Sequence, residues 1–182
     1  MKTTISILLI TFILGFKQLY QEITIEEPEF SGIIILVTSE TSFEQLEKQK
    51  ASTATKADIG AALFGVSKGK GMNMVNGLQS PVRIAEGEKL RLIARVREND
   101  RDPVEVVNIF RMEQDLKKER RTIVTGTVNF NQSTALDIEF IPFEASKYGQ
   151  SSYLIEVPEI PAGEYAITLD GSRDVFNLFG VD

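Results

Sequence analysis

Apolar residues recur at every second position through much of the chain, which is the period of a strand that lays one face on a core. Tyr153, Ile155 and Val157 share one face, and after a break at Pro158, Pro161 and Gly163 so do Tyr165, Ile167 and Leu169. Two strands joined by a tight corner follow from this. Neither proline donates to a sheet ladder, and Gly163 supplies the backbone freedom of a sharp reversal. Leu90, Leu92, Ala94 and Val96 alternate with Lys89, Arg91, Ile93, Arg95 and Arg97, giving one apolar and one mostly basic face. Ser31 to Val37 is instead a continuous β-branched run, the pattern of a strand covered on both sides.

Further strands are predicted over Val104 to Met112 and Arg121 to Phe130, joined by the charged hairpin tip EQDLKKER. Ala135 to Ile141 alternates through Leu136, Ile138 and Phe140, and Asp174 to Asp182 closes the chain. Gln21 to Phe30 is acidic and reads as an edge strand or a leader. Phe43 to Lys50 fits a helical turn or a strand equally well. Ala51 to Asn76, rich in glycine and small residues, predicts an insertion or long loop in which Ala57 to Gly65 forms one short helix. With roughly eight to ten strands and no long helix, the expectation is an all-β, immunoglobulin-like antiparallel β-sandwich. Tyr165, two residues past Gly163, fits the tyrosine corner of such sandwiches, although a half-buried strand tyrosine gives the same pattern.

The 182 residues suit one domain, placed at 21–182, and 42% hydrophobic with 25% charged residues is the balance of a folded chain. Met1 to Phe16 carries Lys2 and an apolar run from Ile5, the length of a signal-peptide core and short for a membrane span. Residues 1–20 are therefore read as a signal peptide or N-terminal hydrophobic segment. No small-residue cleavage site is evident, so an uncleaved anchor is the alternative. Export to the periplasm, cell surface or medium is the expectation.

Charge and missing residue types narrow the chemistry. Lys+Arg 20 against Asp+Glu 26 opposes attraction to nucleic acid. Cysteine and histidine are absent, which removes disulfides, Cys/His zinc sites, and Ser-His-Asp or Cys-His machinery. No cofactor is expected. Gly65 to Gly69 fits GxSxG and Ser67 with Lys70 fits SxxK, but no histidine activates the serine, and the accompanying SDN and KTG patterns are missing. Glu98, Asp100 and Asp102 place hard oxygen donors in one turn, as calcium requires, with Arg97 and Arg101 set against them. Lys89, Arg91, Arg95 and Arg97 are the candidate partner-binding residues, for an acidic partner, and cross-strand pairing with acids is the plainer reading.

The segments EITIEEPEFSG, Ser80-Pro81-Val82-Arg83-Ile84, DPVEVVNIF and GEYAITLDGSRDVFNLFGVD resemble a group of uncharacterised secreted proteins of flavobacteria and related Bacteroidetes. The resemblance implies export and a β-sandwich, and brings no activity or site residue with it. The combined expectation is an exported, non-enzymatic sandwich that binds a protein partner or itself as a subunit or accessory of an envelope or extracellular assembly. A carbohydrate or small-ligand module is the alternative, and a hydrolase the third.

Overall fold

The computed structural model describes residues 23–57, 68–129, 132–134, 138–170 and 174–182. The expected signal segment, Ser67, and Leu136 lie outside them, as does most of the expected short helix. In chain order the strands are β1 (Ile34–Val37), β2 (Phe43–Gln45), β3 (Glu47–Lys50), β4 (Ser52–Ala57), β5 (Lys68–Asn76), β6 (Arg83–Ile84) and β7 (Leu90–Arg95). After the helical turn α1 (Pro103–Val106) come β8 (Val107–Asp115), β9 (Arg120–Asn129), β10 (Gln132–Thr134), β11 (Glu144–Tyr148), β12 (Ser152–Val157), β13 (Gly163–Leu169) and β14 (Val175–Val181).

They form an antiparallel β-sandwich. One sheet runs β11-β12-β7-β1-β2 and the other β3-β14-β13-β8-β9-β5-β4, with β10 on β9 and β6 parallel to β14. Between them lies the main core. Ile34, Leu36, Leu92, Ala94, Tyr153, Ile155 and Val157 enter it from the first sheet, and Val107, Ile109, Tyr165, Ile167, Leu169 and Phe179 from the second. Each fully buried large side chain of this kind contributes about 1.5–3 kcal/mol, so this layer dominates folding.

The continuous run at β1 has the expected cause. Ile34 and Leu36 face the main core, while Ile35 and Val37 join Ile25 and Ile93 in a separate cluster on the sheet's outer side. The segment 23–30 supplies Ile25 and is not a strand; it passes over that outer side as a strap. A third cluster, with Phe110, Met112, Ala166, Phe176 and Leu178, lies on the outer side of the second sheet and takes in Val75 and Ile123 from β5 and β9.

Several expectations are revised. Phe43 to Lys50 is neither a helical turn nor one strand. The chain changes sheets at the buried Leu46, whose N–H donates to the Ile34 carbonyl at 3.1 Å. A single period fails there because β2 belongs to the first sheet and β3 to the second. The long loop expected over Ala51 to Asn76 is largely an antiparallel hairpin, with Ser52 opposite Met74 and Ala57 opposite Gly69. Low side-chain bulk suggested a loop, but ladder bonds need no side chains. The predicted strand at Val104 starts instead with α1, because Asp102 accepts a bond from the Val104 N–H and Pro103 opens the turn. Ile138 to Ile141 makes one bridge, Phe140 to Phe110, where a full strand was expected.

At the corner, the Tyr165 hydroxyl donates to the Pro161 carbonyl at 2.6 Å, and the ring stacks on Phe179 with centroids 5.4 Å apart. That bond is the one that defines a tyrosine corner. Gly163 has a φ of 159°, a value L side chains rarely adopt, and a Cβ there would sit 3.0 Å from the Arg111 guanidinium. Arg111 donates to the neighbouring Ala162 carbonyl at 2.9 Å. Replacing Tyr165 with Phe removes only the hydroxyl bond, and we expect urea unfolding to show a loss of about 1 kcal/mol with the fold retained.

Candidate functional site

β9 and β5 continue beyond the sandwich, and the charges at their root decide how they are held. Arg121, in the first turn-side residues of β9, is completely buried at 0% exposure. Its guanidinium donates to both Glu47 carboxylate oxygens, at 3.1 and 3.0 Å, and to Glu164 at 3.4 Å. The carbonyls of Gly77 and Asn76 accept from it at 3.1 Å each. Glu164, 3% exposed, passes the chain on: the Ser80 N–H donates at 2.9 Å to the same oxygen that takes Arg121, and its other oxygen takes Arg83 at 2.5 Å. Arg83 ends on the Asp182 carboxylate, Nε to Oδ2 2.8 Å.

The ionic chain Glu47–Arg121–Glu164–Arg83–Asp182 thus ties β3, β9, β13, β6 and the residue after β14 into one unit. Backbone geometry makes room for it. A Cβ on Gly180 would overlap the Arg83 guanidinium, so glycine at that point in β14 leaves Arg83 free to lie where it meets Glu164 and Asp182. Hydrogen bonding by Asp182 is the main influence raising the Arg83 pKa, and it outweighs burial, which acts the other way. The reciprocal bond from Arg83 holds the Asp182 carboxyl below its ordinary value. The sequence pattern marks Arg121 only as the start of a strand and gives Glu164 no role. The available signal was a glutamate between Gly163 and Tyr165, inside a strand whose other positions are nearly all apolar.

Beside this chain is an open groove of about 1000 Å³. Met112, Ile123, Val124 and Ile138 give it an apolar floor, and Arg111 and Glu139 stand at its rim. Glu139 and Glu86, acting with burial as the leading cause, raise the Tyr165 pKa against the opposing Arg111 charge.

The four basic residues singled out from the sequence do not make one free stripe. β7 is central, between β12 and β1. Arg91 stands in register with Glu156 on β12, the arrangement of a cross-strand charge pair. Arg95 pairs with Glu27 at 3.5 Å, and Ile93 between them is fully buried. Lys89 and Arg97 are exposed, just beyond the two ends of the strand.

The Glu98 to Asp102 turn is engaged structurally. Asn99 donates to the Ser152 carbonyl at 3.0 Å, the Tyr153 hydroxyl donates to the Arg101 carbonyl at 2.7 Å, and Asp102 caps α1. Arg101 pairs with Asp170 and, at 3.4 Å, with Glu105. Among the described residues no three potential acidic ligands converge on a metal position. Lys70 lies on β5 opposite Thr127, and its SxxK partner Ser67 is outside the described residues.

Removing one member of a buried ion network leaves its neighbours charged and desolvated. Glu164→Ala is therefore expected to cost about 3–5 kcal/mol in urea unfolding. Arg101→Ala, at an exposed pair, is expected to cost less than about 1 kcal/mol in the same assay.

No family model and no curated protein matches the chain. Among solved structures, it overlays on the crystal structure of the ZIG-8–RIG-5 IG1–IG1 heterodimer at 10% identity, with a TM-score of 0.28 over 56% of this chain and 78% of that one.

Proposed function

We propose that the protein is an exported, non-enzymatic sandwich that acts through protein–protein contacts, as a subunit or accessory of an envelope or extracellular assembly. The observation that carries this reading is the wing formed by β4, β5, β9 and β10. Past Val75 and Ile123, none of residues 52–54, 70–74 and 124–126 belongs to an apolar cluster, and Ser52, Thr53 and Ala54 on β4 are exposed. β4 is paired only with β5 among the described residues, which leaves a six-residue edge. A strand of this length without proline is a template for an added strand.

The occupant we assign to that edge is an extended segment of another protein, bonded through the main chain. Export rests on the apolar run at Ile5 to Phe16 and on the resemblance to secreted proteins. The absence of histidine and cysteine from the sequence argues against the commonest nucleophilic mechanisms. A second reading, a small-ligand module, draws on the groove at Arg111.

Native mass spectrometry of the protein purified from its producing cells tests the proposal. We expect a mature chain in stoichiometric complex with another protein. Ala54→Lys, which places a charge on the edge, is expected to abolish the complex while shifting the melting temperature by no more than about 2 °C. A monomer carrying a small adduct would overturn the partner reading and favour the groove.

A further inference from the structure

The outer side of the first sheet is apolar, and what covers it is the strap. Ile25 is buried there with Ile35, Val37 and Ile93, while Ile23, Ile33, Tyr148 and Leu154 pack around them. The strap makes no ladder with the sheet. Three fastenings hold it. At one end the Thr24 N–H donates to the Glu40 carbonyl at 3.0 Å. In the middle the Tyr148 hydroxyl donates to the Ile25 carbonyl. The third is Glu27, and it is the strongest.

The Glu27 carboxylate sits in a socket at the turn between β11 and β12. It accepts from the Gln150 N–H at 3.0 Å, the Ser151 N–H at 2.9 Å and the Ser152 hydroxyl at 2.7 Å, with the Arg95 guanidinium at 3.5 Å. Gly149, at φ 57°, completes the shape, because any Cβ there would overlap the Glu27 carboxyl. Charge-assisted bonds of this kind depend on the carboxyl being ionised. Protonation removes the pairing with Arg95 and weakens acceptance from all three donors.

We propose that 23–29 is a releasable strap latched by Glu27, and that protonation of Glu27 opens it and bares the apolar outer face of the first sheet. The charged and titratable groups that face Glu27 are Arg95 from β7 and the Tyr148 hydroxyl from β11. Burial works against ionisation of Glu27, but the bonds from Gln150, Ser152 and Ser151 and the charge of Arg95 outweigh it and hold its pKa below the ordinary value. The latch is thus fully set above the ordinary carboxylate range and is lost as pH falls through the lowered folded value.

The test is hydrogen exchange on the full chain, with strap protection read at the amides that fasten it, Thr24, Gln150 and Ser151, against those of β13. Glu27→Gln is expected to lower strap protection at pH 7 at least about tenfold and leave β13 within about twofold. In the wild type, strap protection is expected to fall below about pH 4.5, ahead of β13, whereas in Glu27→Gln it is expected to be flat with pH. Ser152→Ala removes one donor and provides a second reading should Glu27→Gln fail to fold. It is expected to lower strap protection a few-fold and move the opening to higher pH. The proposal is overturned if the wild-type strap loses protection only together with β13. It is equally overturned if both variants that fold match the wild-type strap at every pH.

Discussion

A guanidinium taken wholly out of water is the constraint on which the second sheet depends. Burying such a charge costs several kcal/mol, and that cost is recovered only where the geometry satisfies it fully. Arg121 meets the condition with acceptors from Glu47, Glu164, Gly77 and Asn76, drawn from β3, β13, the last residue of β5 and the residue after it. Those acceptors surround Arg121 only when β3 is paired with β14, β9 with β5 and β8, and both β8 and β14 with β13. The ionic chain therefore couples formation of the wing's root to formation of the sandwich, and makes partial assembly expensive.

Burial on both sides of each sheet follows the same logic by different means. The first sheet covers its outer side with a strap whose strongest fastening is one carboxylate socket, and the second gathers its outer apolar side chains into one cluster with Ala51 and Ile138 packed against it. Clusters beyond the main core add apolar burial without enlarging it. They also differ in permanence. Arg121 is sealed by several elements at once, whereas Glu27 is held by one turn and one arginine. A site that must yield to its surroundings is built from the weaker kind of fastening.

Much of the fold was legible in the alternation of residues, and the failures have physical causes. Tyr153 to Val157 and Tyr165 to Leu169 were read correctly as strands on either side of a corner, since each presents one face to one core. Period two was lost at Leu46, where the chain passes between sheets, and across β4 and β5, where glycine and small polar residues occupy many ladder positions. The ionic chain was not legible because Glu47, Arg121, Glu164 and Arg83 are far apart in sequence and each resembles an ordinary surface charge. Likewise Arg95 read as part of a basic face, and only the path of the strap reveals that Glu27 claims it. Spacing carries information about faces; it carries little about which distant charges meet.

The most direct test of the coupling is native-state hydrogen exchange across a denaturant series, comparing amides at 72–76 and 120–124 with those of β13. If the buried chain joins the root of the wing to the sandwich, both groups should open with one free energy and one denaturant dependence in the wild type, and Arg121→Met should separate them. Independent opening of the root in the wild type, at a lower free energy than β13, would contradict the account.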